Sequence, residues 1–120
     1  MLITNRAQAR VLHTPHNSEI RPLMDRTTSN IEQCSLAEEL LPAGRAVGRH
    51  YHTATEELYY ILEGTGEMTI DDETCAVRAG DCIFIPRLST HTLRNTSADV
   101  MRLLLICGPA YNPADHHEAK

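Results

Sequence analysis

Short segments of alternating apolar and polar residues dominate this 120-residue chain, and turn-forming residues separate them. Gly, Asp, Asn or Pro interrupts the pattern every few residues from about residue 47 onward. The segments are VGRHYH, ELYYILEG, GEMTID, TCAVRAG, DCIFIP, HTLRN and VMRLLLIC. A period of two is typical of β-strands, and many short strands with frequent turns favour a sandwich or barrel. The pattern predicts an all-β fold.

One earlier segment, SLAEELLPAG at 35–44, fits either a helix or a strand with a bulge. Pro42 and Gly44 interrupt it within a turn or two of any helix, so we favour the strand. The sequence DDE at 71–73 indicates a hairpin turn, although it lacks the glycine that such turns usually contain.

The length of the chain predicts one domain with two terminal arms. Residues 1–18 are polar and weakly patterned, and residues 108–120 contain two prolines and no strand period. The predicted domain therefore covers residues 19–107. The histidines in the arms, His13, His16, His116 and His117, are interpreted as solvated side chains.

Composition excludes some partners. The net charge is −5 and no Lys/Arg run is present, so neither nucleic acid nor an anionic membrane is an expected partner. The first 13 residues lack the continuous apolar stretch of a secretory signal, which predicts a cytoplasmic protein with reduced thiols. Without any C-x-x-C pair, the cysteines are expected to be buried thiols rather than disulfides or metal ligands: Cys34, Cys75, Cys82 and Cys107.

The stretch RHYHTATEELYY places imidazoles and carboxylates beside a predicted core strand. In a strand, residues two apart share a face, so His50 and His52 point to one side. Glu57 begins the next strand and shares its face with Tyr59. Imidazole and carboxylate ligands together suit Mn, Fe, Co, Ni, Cu or Zn better than Mg or Ca. By itself, however, the H-x-H pair also fits a polar edge strand.

Two longer sequence patterns place the His50–His52 pair in a wider context. The first is G-x5-H-x-H-x4-E-x6-G, which begins at Gly44 and ends at Gly64. The second begins at Gly80, continues to Pro86, and reaches His91 and Asn95. Together they resemble the paired motifs of the cupin superfamily, and the resemblance extends over roughly residues 32–107. The second motif departs at Leu88, where the family usually has glycine.

The resemblance implies a cupin-type jelly-roll barrel with one divalent transition metal inside it. The implied ligands are His50, His52, Glu57 and His91. Glu56 is the alternative to Glu57, because some cupins have a shorter gap before the carboxylate. Glu57 is preferred because it gives the six-residue interval to Gly64.

Four protein ligands leave room for a substrate on an octahedral ion, as a catalytic site requires. We therefore expect a metal-dependent enzyme acting on a small, oxygen-rich molecule, with Tyr59 as the candidate catalytic residue. Tyr59 also fits a purely structural core position. Dioxygenation is favoured over a redox-neutral isomerase, lyase or decarboxylase, and a non-catalytic small-molecule-binding module is the remaining alternative. The apolar outer face of the Glu57 strand, together with the resemblance, predicts a homodimer.

Overall fold

The computed structural model describes residues 1–119, and almost all of its regular structure is β-strand. This confirms the predicted all-β class. Two short 3-10 helices, Arg6–Gln8 and Pro113–Asp115, accompany eleven strands. The strands are β1 (Leu12–His13), β2 (Glu19–Met24), β3 (Ser35–Leu41), β4 (His50–Tyr51), β5 (Glu56–Glu63), β6 (Thr65–Ile70), β7 (Glu73–Arg78), β8 (Cys82–Ile85), β9 (His91–Asn95), β10 (Met101–Gly108) and β11 (His117–Glu118).

The strands form two antiparallel sheets that pack face to face as a jelly roll. One sheet has six strands in the order β1-β2-β3-β10-β5-β8, and the other has five in the order β11-β4-β9-β6-β7. Neighbours in each sheet are mostly distant in sequence, so long-range pairing closes the barrel. No helix within the described residues has the length and apolar character needed to cross a membrane.

Alternation along each strand places apolar side chains between the sheets. Tyr59 and Ile61 of β5 are buried there, whereas Leu58 and Tyr60 of the same strand are exposed. The rest of the core follows the same period of two and comes from both sheets. It comprises Leu41, Val47, Met68, Ile85, Leu93, Met101 and Leu103.

The segment that could be a helix or a strand is a strand, β3, which pairs without interruption with β10. The expected bulge lies instead in the neighbouring strand β2, where the register shifts between Pro22 and Met24. Proline has no amide hydrogen to donate to a ladder, so β2 tolerates it where the pairing is irregular. The predicted hairpin is confirmed, since β6 and β7 are joined by Asp71 and Asp72 alone, with φ at +53° for Asp71.

Each segment assigned to an arm adds a short strand. At the N-terminus, Leu12 and His13 pair with β2. At the C-terminus, His117 and Glu118 pair with β4, the strand that carries His50. The C-terminal segment therefore lies against the strand that carries one of the predicted metal ligands.

The cysteine prediction was half right. All four cysteines are free thiols, but only Cys107 is buried. Cys34 lies outside the strands, Cys75 lies on β7, where almost every residue is exposed, and Cys82 lies at an exposed position of β8. An apolar stretch in a sandwich often belongs to a strand with a solvent-exposed face. Hydrophobic neighbours in the sequence therefore did not guarantee that a cysteine is buried.

Candidate metal centre

Strand register brings the four predicted ligands to one point between the sheets. His50 and His91 are direct partners across the β4–β9 pair. His52 lies just beyond the end of β4, and Glu57 extends inward from β5 of the opposite sheet. One ligand atom from each of the four lies within 4.8 Å of all the others, and all four residues are buried.

Backbone carbonyls fix the orientation of all three imidazole rings. His50 Nδ1 lies 2.7 Å from the Gly48 carbonyl oxygen, and His91 Nδ1 lies 3.0 Å from that of Ser89. His52 Nδ1 lies 2.7 Å from the carbonyl oxygen of Asp115. A carbonyl can only accept a hydrogen bond, so each Nδ1 carries the hydrogen and each Nε2 lone pair remains available to a metal.

Two buried atoms in this cluster have no hydrogen-bond partner among the described residues: Glu57 Oε1 and His91 Nε2. They lie 3.4 Å apart, and His52 Nε2 lies 3.5 Å from the same oxygen. Unsatisfied buried polar atoms are costly, and a cation held between these groups would satisfy both. Three neutral imidazoles and one carboxylate are also a donor set that suits a borderline divalent metal. The residues therefore fit the metal that the sequence implied.

The charge states of the cluster favour metal binding. Burial and the nearby imidazole of His91 lower the pKa of His50 to about 3, so this ring is neutral near pH 7. Burial alone would raise the pKa of Glu57, but the adjacent His52 and His91 imidazoles lower it to about 2. Burial likewise opposes protonation of His52, but Glu57 raises the pKa of His52 above its usual 6.5. A metal would compete with a proton mainly at His52.

The structure distinguishes between the two candidate carboxylates. Glu57 is buried in the cluster, whereas Glu56 is exposed on the opposite side of β5. The one-residue offset reverses the direction of the side chain in a strand. Glu57, not Glu56, therefore lies beside the three imidazoles.

Leu88 occupies the turn before His91 in the left-handed conformation, with φ at +69°. This is the position where the motif usually has glycine, which adopts such angles without strain. The turn still forms, and the Leu88 amide donates to the His52 carbonyl at 2.7 Å. This hydrogen bond ties the turn before His91 directly to the H-x-H segment.

Three of the four candidate ligands, His50, His52 and Glu57, lie in the wall of a cavity of about 750 Å³. Tyr59 also lines this cavity, and its ring packs edge-to-face with His91 at a centroid distance of 5.9 Å. Burial, and then the charge of Glu57, raise the pKa of Tyr59 well above its usual value. The phenol is therefore protonated at neutral pH and can donate a hydrogen bond or a proton, but it is unsuited to act as a base.

The strand pattern did not reveal the basic side chains of this cavity. Arg10, Arg26 and Arg49 contribute to its lining. All three lie outside the strands. A period-two pattern gives no information about loops, so sequence reasoning missed them.

Sequence reasoning also missed the role of the C-terminal segment. His116 was expected to be solvated, but its ring stacks on His50 at 4.3 Å with an interplanar angle of 9°. His117 stacks on Tyr51, the outward residue between the two ligand histidines, at 5.1 Å. The segment has no strand period, and no local pattern indicated that it would return to the site.

Asp115 holds this segment in place. Its carboxylate accepts hydrogen bonds from the amides of Thr53 and Ala54 and from the hydroxyls of Thr53 and Thr55. These residues form the loop between His52 and Glu57. The Asp115 carbonyl oxygen in turn orients the His52 ring. One residue thus joins the C-terminal segment, a ligand and the loop between two ligands.

We expect Asp115→Ala to weaken metal binding by about 10- to 100-fold, the usual range for residues that orient ligands. The reason is that the Thr53–Thr55 loop loses its acceptors and the Asp115 carbonyl is no longer held beside His52. Chelator competition would measure the change. Asp99→Ala, at an exposed carboxylate whose side chain makes no hydrogen bond to the described residues, is the control. Equal metal affinity in the two variants would contradict this role for Asp115.

Comparison with known proteins agrees with this geometry. The family model described as "Cupin domain" matches residues 37–107. The protein MJ1618 of Methanocaldococcus jannaschii is 37% identical over 102 residues, which cover 85% of this chain and 82% of that protein.

Two solved structures share the fold. A predicted oxalate decarboxylase from Thermotoga maritima superposes with a TM-score of 0.81 at 22% identity, covering 90% of this chain and 99% of its own. The polyketide cyclase RemF from Streptomyces resistomycificus superposes with a TM-score of 0.80 at 23% identity, covering 100% of this chain and 86% of its own. With the family match over more than half of the chain, these results show that the protein belongs to the cupin family.

Proposed function

We propose that this chain is a metal-dependent enzyme that acts on a small, oxygen-bearing organic molecule in the cavity beside the metal centre. The observation that carries the proposal is the convergence of three imidazoles and one carboxylate beside a cavity that three of them line, with two of the buried atoms lacking hydrogen-bond partners. A site that served only to hold the fold together would not need a cavity next to it.

The ligands of this proposed site are His50, His52, Glu57 and His91, and the metal is one of Mn, Fe, Co, Ni, Cu or Zn. When bound, such an ion supplies a Lewis acid that polarises a substrate oxygen. The imidazole rings contribute a fixed geometry, since backbone carbonyls hold all three. Apolar residues among those lining the cavity, such as Leu36, Val47 and Leu105, reduce the water near the site and strengthen the electrostatic effect of its charged groups.

Tyr59 is the proposed catalytic residue. Its phenol is protonated at neutral pH, so it can donate a hydrogen bond to a substrate oxygen or transfer a proton to the substrate. A buried proton donor is useful in elimination, cyclisation and decarboxylation. This favours redox-neutral chemistry. The two similar proteins of known structure, a predicted oxalate decarboxylase and a polyketide cyclase, are also named for reactions of this kind. Dioxygenation, favoured by the sequence analysis, uses the same kind of ligand set and is the alternative.

The test is a panel of enolic, catecholic and hydroxy-carbonyl compounds supplied to protein loaded with Mn, Fe, Ni, Cu or Zn. Product formation and oxygen uptake are followed separately. We expect product without oxygen uptake, and Tyr59→Phe should lower the turnover number about 10²- to 10⁴-fold while metal content is unchanged. Tyr60→Phe, on the opposite face of β5, is the matched control.

The outcomes separate the alternatives. Oxygen consumption in step with product would favour the dioxygenase. Tight binding with no product from any compound or metal would support a binding module instead of an enzyme. If the Tyr59→Phe variant has a normal turnover number, Tyr59 has only a structural role in the core.

We also propose that the protein is a two-fold homodimer formed through the outer face of the six-stranded sheet. Phe84, Leu58 and Ile106 are register neighbours across β8, β5 and β10 on this face. Phe84 is 53% exposed and Leu58 is 36% exposed. Tyr60 adds to the patch one pleat further along. An apolar row of this kind on a sheet is typical of an interface.

Sedimentation at micromolar concentration tests the dimer. We expect a dimeric mass for the wild type and a monomeric mass for Leu58→Glu, because the new charge would lie in the apolar row. Metal content should stay the same, since Leu58 points away from the cluster. Glu56→Lys, at an exposed position on the same face, is the control for a charge change. A monomeric wild type would refute the proposal.

A further inference from the structure

A second polar cluster, with two buried and two half-buried members, lies beside the same cavity as the metal centre. It consists of Glu39 on β3 together with Thr14, His16 and Ser18 from the N-terminal segment. Glu39, His16 and Thr14 are among the residues that line the cavity. Glu39 is 2% exposed and Ser18 is fully buried. None of these residues belongs to the motifs that predicted the metal site.

Hydrogen bonds join all four members of this cluster. Ser18 Oγ donates to Glu39 Oε2 at 2.5 Å, and Thr14 Oγ1 lies 2.7 Å from Ser18 Oγ. His16 Nε2 lies 3.1 Å from the same carboxylate oxygen and 2.8 Å from Ser18 Oγ. Because the carboxylate only accepts, His16 Nε2 carries a hydrogen. Nδ1 is then the ring atom of His16 that is free to bond a ligand.

The position of Glu39 is unusual for a core strand. It lies in the inward row of the six-stranded sheet beside Leu103, which in turn neighbours Ile61, and both are fully buried. A buried carboxylate costs free energy even when it is paired, and an apolar side chain of similar size often packs at least as well. A polar network at this position therefore needs a reason beyond folding.

The register also gives the distance of this cluster from the metal centre. On the inner face, Glu57 aligns with Cys107 and Ser35, and Glu39 lies four residues further along β3 than Ser35. At about 3.3 Å per residue, the two polar groups are roughly 13 Å apart along the strands. Tyr59 and Leu105, two other lining residues, lie in the row between them.

We propose that His16, held by Glu39 and Ser18, is a specificity-determining residue that hydrogen-bonds a polar group at the far end of the substrate. The inference rests on the proposed function, because it assumes that the near end of the substrate binds the metal. It narrows the substrate class to elongated molecules with a metal-binding oxygen at one end, a largely apolar body, and a hydroxyl or similar group at the other.

The probes are two series of alkyl hydroxamates of increasing chain length, tested by calorimetry on zinc-loaded full-length protein. One series ends in a hydroxyl and the other ends in a methyl group. At the best length, we expect wild-type protein to bind the hydroxyl-ended probe about 5- to 10-fold more tightly, the contribution of one neutral hydrogen bond. His16→Phe should remove that preference and leave the affinity for the methyl-ended probe within about twofold of wild type.

His13→Phe is the matched control, since His13 also lines the cavity but makes no bond to the cluster, and it should keep the preference. Nitrogen-15 spectra of labelled wild-type protein give a readout that does not depend on any variant folding. The His16 ring signals should shift with the hydroxyl-ended probe and not with its methyl-ended partner.

Equal binding of both series to wild type, with unshifted His16 signals, would overturn the inference and leave the metal site standing. A preference that survives in His16→Phe would overturn it as well. If neither series binds to zinc-loaded protein, the cavity does not admit a metal-binding molecule, so the proposed function fails and the inference fails with it.

Discussion

His91→Ala should remove the metal from this protein and leave a folded β-sandwich. His91 is fully enclosed, its Nε2 lies 3.4 Å from Glu57 Oε1, and neither atom has a hydrogen-bond partner among the described residues. Changes to the residues that orient a metal ligand can weaken metal binding by roughly 100-fold. Removing one of the four ligands itself should weaken it by well over that factor. Without metal, the variant also loses an unsatisfied buried nitrogen, which offsets part of the packing lost with the ring.

Elemental analysis after incubation of tag-free protein with Mn, Fe, Ni, Cu or Zn salts measures this effect. The wild type should retain close to one ion per chain, and His91→Ala close to none. His13→Ala is the control, because that exposed imidazole lies outside the cluster and should not affect metal content. Circular dichroism confirms the fold of each variant. A wild type that takes up no ion from any of these salts would refute the site altogether.

Gly66→Ala should produce the largest loss of stability among single-methyl changes. Gly66 lies on β6, which pairs with β7 on one side and β9 on the other. A Cβ at this position would lie 2.5 Å from the backbone oxygen of Arg94 and 2.6 Å from the Met101 methyl group. The methionine side chain can move, but the Arg94 carbonyl belongs to the adjacent strand and cannot move without disturbing the ladder.

We expect a destabilisation of about 2–3 kcal/mol, as for other overpacked sites, measured by thermal or urea unfolding. Gly48→Ala is the control, because a Cβ there meets nothing within 4 Å and the backbone is not in the left-handed region. That change should be neutral or slightly stabilising, because alanine restricts the unfolded chain. Similar unfolding free energies for the two variants would show that β6 and β9 can separate without cost.

Much of the fold could be predicted from local pattern. The period of two identified the strands from β5 to β10, and Pro42 with Gly44 correctly decided β3 against a helix. The pattern did not show that β4 would contain only His50 and Tyr51, because strand length depends on the partner. The bulge was also predicted in the wrong strand, since it lies in β2 and depends on how two strands align.

The four candidate ligands followed from the resemblance of two sequence motifs to those of the cupin family, and strand alternation indicated only that His50, His52 and a carboxylate could converge. Alternation also predicted the inward direction of Tyr59. The choice of Glu57 over Glu56 rested on spacing, and tertiary structure decided it by burying one and exposing the other.

Only the tertiary structure decided the contacts between distant segments that surround these ligands. The Asp115 carboxylate accepts a hydrogen bond from the loop after His52, which lies about sixty positions earlier in the chain. His16, in a segment without a strand pattern, is hydrogen-bonded to Glu39. Hydrogen bonds of this kind need only a donor and an acceptor in the right place, and they leave no period in the sequence. Sequence pattern records which face a side chain occupies along its own strand, whereas the partner across the cavity is determined by how the whole barrel closes.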